Sequence, residues 1–330
     1  MKRLVLLSLV LTAALTGCQK NEIDTEPFTD NTNETVSIRQ CATMDILDQK
    51  LKDDPTLADR MSAIEAFTQK TLSDRSIKRL LPDGTIEIPV VFNIIYRTST
   101  ENISAAQIQS QIDVLNEDYG ATNADYSLTP GLFQPVRSGP TGITFTLAAV
   151  NRKATTKRSW KVDDSMKSSS LGGIDATAPA TNLNIWVVNK MTSNGSTILG
   201  YAQFPGGAAA TDGVVLGYNF TGRVGTLSPP YHKGRTATHE VGHYLNLRHI
   251  WGDATCGNDQ VSDTPLHNTA NYGCPAAGHL STCTGTPVEM TMNYMDYTDD
   301  PCMYMFSSGQ KTRMQAIFVS GGPRNSLAQP

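Results

Sequence analysis

The sequence predicts an α+β domain, on two observations. Apolar, β-branched stretches come first, at residues 86–96, 143–147, 183–188 and 214–218, with helix and loop following; a doubly wound parallel sheet would instead alternate strand and helix throughout. Residues 251–301 are then crowded with Gly, Pro, Asn, Asp and Cys, which marks irregular chain held by bridges.

The elements follow in order. Lys2 and Arg3 precede an apolar run at residues 4–11 that is too short to span a membrane. Leu15-Thr16-Gly17-Cys18 puts small residues directly before a cysteine and resembles a bacterial lipobox. Residues 1–17 therefore read as a signal peptide cut before Cys18, whose lipidated thiol would be the only membrane anchor; an ordinary signal peptide is the alternative. Residues 18–37 are polar, with almost nothing to bury, and read as a flexible tether. Ile46, Leu47, Leu51, Leu57, Met61, Ile64 and Phe67 then recur at helical spacing. That segment is too short to build a core, so it is expected to pack on something else. Arg75, Lys78 and Arg79 form a basic stretch before the turn signal Pro82-Asp83-Gly84, which divides a helical segment, 38–84, from the main domain, 85–330.

In the main domain, residues 86–96 predict a buried strand. Ser104 with Gln107 forms a capping box, Ile103 with Ile108 a hydrophobic staple, and Ile108, Ile112, Leu115 and Tyr119 the buried face of the helix that follows. Ile143, Phe145 and Leu147 alternate as a strand, and residues 183–188 and 214–218 supply two more. A helix is expected over 235–245, and Ser308 is expected to cap a closing helix that ends near Phe318.

Composition excludes little, but it does narrow the class. The net charge is −4 and no basic patch is interleaved with aromatics, so nucleic acid is not an expected partner. Cys256, Cys274, Cys283 and Cys302 cluster in a chain that reads as exported. Four cysteines allow three pairings, and residue spacing does not choose among them. A structural metal site is the rival, and the absence of any CxxC pair weakens it.

All six histidines lie at or after His232, and three fall in the run His239-Glu240-Val241-Gly242-His243-Tyr244-Leu245-Asn246-Leu247-Arg248-His249. Positions i and i+4 share a helix face, so His239 and His243 can present imidazoles to one ion. Glu240 is rotated about a quarter turn away, beside the ion, where it can take a proton from water. His249 reaches the same ion only if the chain turns sharply after Leu245. That needs a residue tolerant of positive φ, and Asn246 supplies it. Three neutral histidines leave one zinc position open, the catalytic arrangement.

HExxHxxNxxH, with Asn246 where most metzincins have glycine, and the following His249-Ile250-Trp251-Gly252-Asp253 resemble the pappalysin family of metzincin zinc metallopeptidases, in particular its small prokaryotic members. Asn293-Tyr294-Met295-Asp296-Tyr297 resembles the family's Met-turn, and residues 199–205 and 305–310 also look like this family; the likeness runs from about Ile88 to Phe318. The resemblance implies a metzincin-like domain: an upper mixed sheet with two long helices, and an irregular, disulfide-bonded lower subdomain. It implies that Met295 forms a floor under the zinc, that Tyr297 stabilises the oxyanion, and that the pairs are Cys256–Cys283 and Cys274–Cys302. It implies too that Cys41 is a pro-segment cysteine whose thiolate blocks the zinc in a latent precursor, the alternative being an unpaired thiol. Asp259, Asp263 and Thr264 offer hard oxygens for calcium, or else form a solvated acidic loop.

The expected function is thus a zinc endopeptidase, exported and lipid-anchored in a bacterial envelope, with peptide as substrate. Asp299 and Asp300 suggest basic side chains after the scissile bond. The rivals are a zinc hydrolase of non-peptide amides and an inactive surface-binding lipoprotein. Intact Glu240 argues against the second, since a scaffold needs no base.

Overall fold

Ile86–Tyr96 form β1, and their β-branched run is explained by their place in the sheet. β1 is flanked on both sides, by β2 (Ile143–Ala154) and by β4 (Leu183–Val188), in parallel. β8 (Val214–Gly217) extends the parallel set, and β7 (Gly200–Ala202) closes one edge antiparallel, giving the order β2-β1-β4-β8-β7. This computed structural model describes residues 38–74 and 85–328. The expected signal peptide with Cys18, the expected tether, and the basic stretch with its turn signal lie outside the described residues.

Both faces of the sheet are covered. Ile88, Val90, Phe92 and Ile94 join the main core with Ile108, Ile112 and Leu115 of α3 (Ala105–Tyr119) and with Ala237 and Val241 of α4 (Arg235–Tyr244). On the opposite face, Ile95, Trp186, Val188 and Val215 pack with Trp160 and Met191 from a small sheet of β3 (Trp160–Lys161), β5 (Met191–Ser193) and β6 (Ser196–Ile198). All six residues of β4 are therefore buried, the continuous apolar pattern of a strand covered on both faces.

Three local expectations change. The register shifts between Val90 and Val91, so Ala148 is skipped and the alternation of β2 breaks; Leu147 is left exposed on the edge strand. Ser104 does cap α3, accepting from Gln107 N at 3.1 Å, but the Gln107 amide donates to the carbonyls of Tyr218 and Thr221, so only half of the box forms. The closing helix, α5 (Ser308–Ala316), is capped one residue earlier, by Ser307, in a complete box with Gln310.

Ahead of β1, the helical segment is two helices. α1 (Thr43–Asp53) lies against β7 and α2 (Leu57–Ser73) against α5. Pro55 separates them, with Asp54 before it extended, as the proline ring requires. Between α4 and α5 the described chain has no strand and only a short turn of 3-10 helix, Asp300–Cys302. Cys256–Cys283 and Cys274–Cys302 bridge it. Side chains take the place of a ladder: Glu289 accepts from Asn268 N, Asp296 from the backbone N–H groups of Asn271 and Tyr297, and Asn293 from Met295 N.

Candidate active site

Every residue of α4 is buried, which fixes the two histidines one turn apart. The helix ends at Tyr244, Asn246 stands at φ 73°, and Leu247 N returns to the carbonyl of Gly242 at 2.9 Å. This turn sends the chain back past its own helix and delivers His249.

Each imidazole has one nitrogen anchored. Nδ1 of His239 meets the carbonyl of Tyr294 at 2.7 Å, Nδ1 of His243 that of Leu247 at 2.8 Å, and Nδ1 of His249 the carboxylate of Asp253. Those acceptors place the proton on Nδ1, so the three Nε2 lone pairs face inward. His243 Nε2 lies 3.2 Å from that of His239 and 3.0 Å from that of His249. Burial and the neighbouring imidazoles hold His239 well below its ordinary pKa and His243 down at about 3, so both are neutral. Three lone pairs so close with no proton between them repel unless they share a cation. The donor set fits zinc.

The surroundings hold this geometry. Trp251 stacks on His249 with centroids 4.3 Å apart, and Phe204 meets His243 edge-on. Met295 lies fully buried beneath α4, where a Cβ on Gly242 would come within 2.4 Å of its sulfur. Tyr294, whose carbonyl anchors His239, donates its hydroxyl to Asp118 of α3 at 2.7 Å.

Glu240 sits beside the triad, and Gly200 of β7 makes room: a Cβ there would fall 2.9 Å from Glu240 Cγ. Its Oε2 accepts from Thr43 Oγ1 at 3.0 Å and from Cys41 Sγ at 3.3 Å. Burial pushes Glu240 up to about 8, and burial followed by Glu240 itself pushes the Cys41 thiol well up. Cys41 Sγ and the three histidine nitrogens all lie within 4.8 Å of one another.

The segment around Cys41 adds to the sheet edge. Leu199 N donates to Gln40 O and Ala42 N to Gly200 O, a parallel bridge on β7. Tyr297 OH donates to the Cys41 carbonyl at 3.3 Å. Arg39, 1 % exposed, donates to Asp300 at 2.5 Å and to the Thr298 carbonyl, and stacks over Tyr231. The triad, Glu240, Cys41, Tyr297 and Met295 thus meet in one place.

Asp259, Asp263 and Thr264 do not converge in this way. Thr264 donates to Asp259, but Asp263 turns to Ser307 Oγ and Gly309 N at the start of α5. Sequence reasoning missed the roles of Arg39 and Thr43, which flank Cys41 and whose partners Asp300 and Glu240 lie 261 and 197 residues away in the chain. It also passed over Asp253, although its i+4 spacing from His249 was in plain view.

Comparison with known proteins agrees with this arrangement. The family model described as pregnancy-associated plasma protein-A matches residues 174–319. An extracellular metalloprotease of Arthroderma gypseum is 31 % identical over 71 % of this chain and 73 % of its own. Extracellular metalloprotease 1 of Coccidioides posadasii is 33 % identical over 71 % and 77 %. Mature mirolysin of Tannerella forsythia, solved with a cleaved peptide, is 44 % identical over 74 % of this chain and 96 % of its own, with a TM-score of 0.70. A promirolysin mutant from the same organism is 40 % identical over 88 % and 97 %, with a TM-score of 0.78.

Fold and site together define a metallopeptidase, and the histidine triad fits the catalytic zinc that such an enzyme carries. The chain belongs to the pappalysin family.

Proposed function

We propose that this chain is the latent precursor of an exported zinc endopeptidase, in which His239, His243 and His249 hold the metal, Glu240 is the general base and Cys41 blocks the site. The convergence of Cys41 Sγ on three inward-facing Nε2 atoms carries the reading. The bound zinc would supply a Lewis acid and make water a nucleophile near neutral pH. Glu240 would take the proton of that water and pass it to the leaving amine. Tyr297, neutral because burial above all raises its pKa, would turn its hydroxyl from the Cys41 carbonyl to the oxyanion. Met295 would serve as the apolar floor.

Residues 38–84 would be the pro-segment, 85–330 the catalytic domain, and cleavage near Arg75, Lys78 or Arg79 the activating step. The buried Arg39–Asp300 pair supports a preference for basic residues, since a guanidinium is accommodated there beside the segment that carries Tyr297. Export agrees with the extracellular relatives, and Cys18 would add a lipid anchor. Calcium is not part of the proposal, because the Asp263 carboxylate is spent at the start of α5. The intact base disfavours a surface-binding scaffold, and peptide hydrolysis separates the proposal from a hydrolase of other amides. We expect Glu240→Ala in the matured enzyme to keep one zinc per chain yet lose peptide hydrolysis by about four orders of magnitude or more. Near-normal turnover in that variant would contradict the mechanism.

A further inference from the structure

We infer that the catalytic cleft carries a second charged subsite, built on Arg313, that takes an acidic side chain of the peptide substrate; this rests on the peptidase reading above. Arg313 lies on α5 and is 1 % exposed. Its Nε donates at 2.8 Å to the carbonyl of Asn246, the turn that delivers His249, so the plane of the guanidinium is fixed at the lip of the site. Its two remaining nitrogens grip Glu65 of α2 side by side, at 3.0 and 2.5 Å. A cleft of about 470 Å³ separates the two sides here, lined by Met44 and Leu47 from α1 and by Phe204, Asn246 and Arg248 opposite. Asp253, the acidic residue of the same wall, is engaged by His249.

When residues 38–74 leave, Arg313 loses the carboxylate it now holds, while its Nε stays anchored. A planar fork already oriented is a preformed receptor for another carboxylate. Asp300, which takes Arg39, does not line this cleft. Arg39 and Glu65 thus leave a two-point imprint, acidic at one place and basic at the other, and a peptide with both charges suitably spaced fits it.

The test uses enzyme matured from the full-length precursor. Fluorogenic peptides carry one fixed arginine, and Glu or Gln is placed in turn at each other position. We expect Glu to exceed Gln in kcat/KM by about tenfold at one position or two adjacent ones. That ratio should shrink in high salt, fall toward one in Arg313→Gln, and survive in part in Arg313→Lys. Because the ratio is internal to each enzyme, a general loss of activity through the Asn246 turn does not mimic it. If Arg313→Gln does not fold, the ratio and its salt dependence in the parent enzyme decide. A ratio of one at every position in the parent, or one unchanged by Arg313→Gln, overturns the subsite and leaves the Arg313–Glu65 pair a latch only. Failure to cut any of the peptides overturns the peptidase reading along with it, whereas equal cutting of the Glu and Gln peptides sinks the subsite alone.

Discussion

The two halves that meet at the histidine triad are built on different principles. The sheet half, β1 to α4, satisfies its backbone through ladders and helices and buries both faces of the sheet. The half that runs from Trp251 to Ser307 has almost no ladder; carboxylates and amides of its own side chains hold its backbone, and two disulfides close loops with separations of 27 and 28 residues. His239 and His243 come from the first half, and Met295 and Tyr297 from the second. Rigidity in the sheet half follows from apolar area, and in the other half from covalent closure and satisfied polar groups. The site needs both, because the Tyr294 carbonyl of one half orients His239 of the other.

That contrast can be broken by experiment. The largest effect is expected from Phe92→Ala, a fully buried position in β1, at about 3–5 kcal/mol of global stability. The folded fraction should keep normal activity, and denaturant midpoints beside specific activity would show it. Removing Cys256–Cys283 by double substitution to alanine should cost about 3–4 kcal/mol for a loop of this length. Here activity should fall before the sheet melts, with amide exchange rising in the irregular half and not in β1. Uniform exchange across both halves would contradict the division.

A smaller effect concerns Asp118. Burial, outweighing Arg235 and the donors Tyr294 and Thr238, raises it from 3.8 to about 6. A folded pKa above the unfolded one means that its contribution is full below about pH 4 and is lost as pH rises to about 6, at a cost of about 3 kcal/mol. Asp118→Asn should flatten stability across that window; an unchanged pH slope would contradict it. Smallest is Ser307→Ala, which removes the cap of α5 and should cost about 1 kcal/mol in thermal unfolding.

The same division explains what was legible beforehand. β1, β4, β8, α3 and α4 were readable because periodic burial writes itself into consecutive residues. His239 and His243 were readable because positions i and i+4 share a helix face, and Glu240 because the same geometry turns it about a quarter turn aside. The order of the strands, the parallel pairing and the short strands β3, β5, β6 and β7 were not, since strands of two or three residues carry no period and pairing is long-range. The cysteine pairing likewise came from family resemblance and not from spacing. Arg39, Thr43 and Arg313 escaped notice because each acts on a partner from a distant part of the chain, and no local pattern records that.

In the proposed latent state, Cys41 silences the intact chain at the same point the three histidines share. X-ray absorption at the zinc edge of the full-length, zinc-loaded precursor tests it most directly. Three nitrogen neighbours at about 2.0 Å and one sulfur at about 2.3 Å are expected, with the sulfur lost in Cys41→Ala. A shell of nitrogen and oxygen alone in the parent precursor would contradict it.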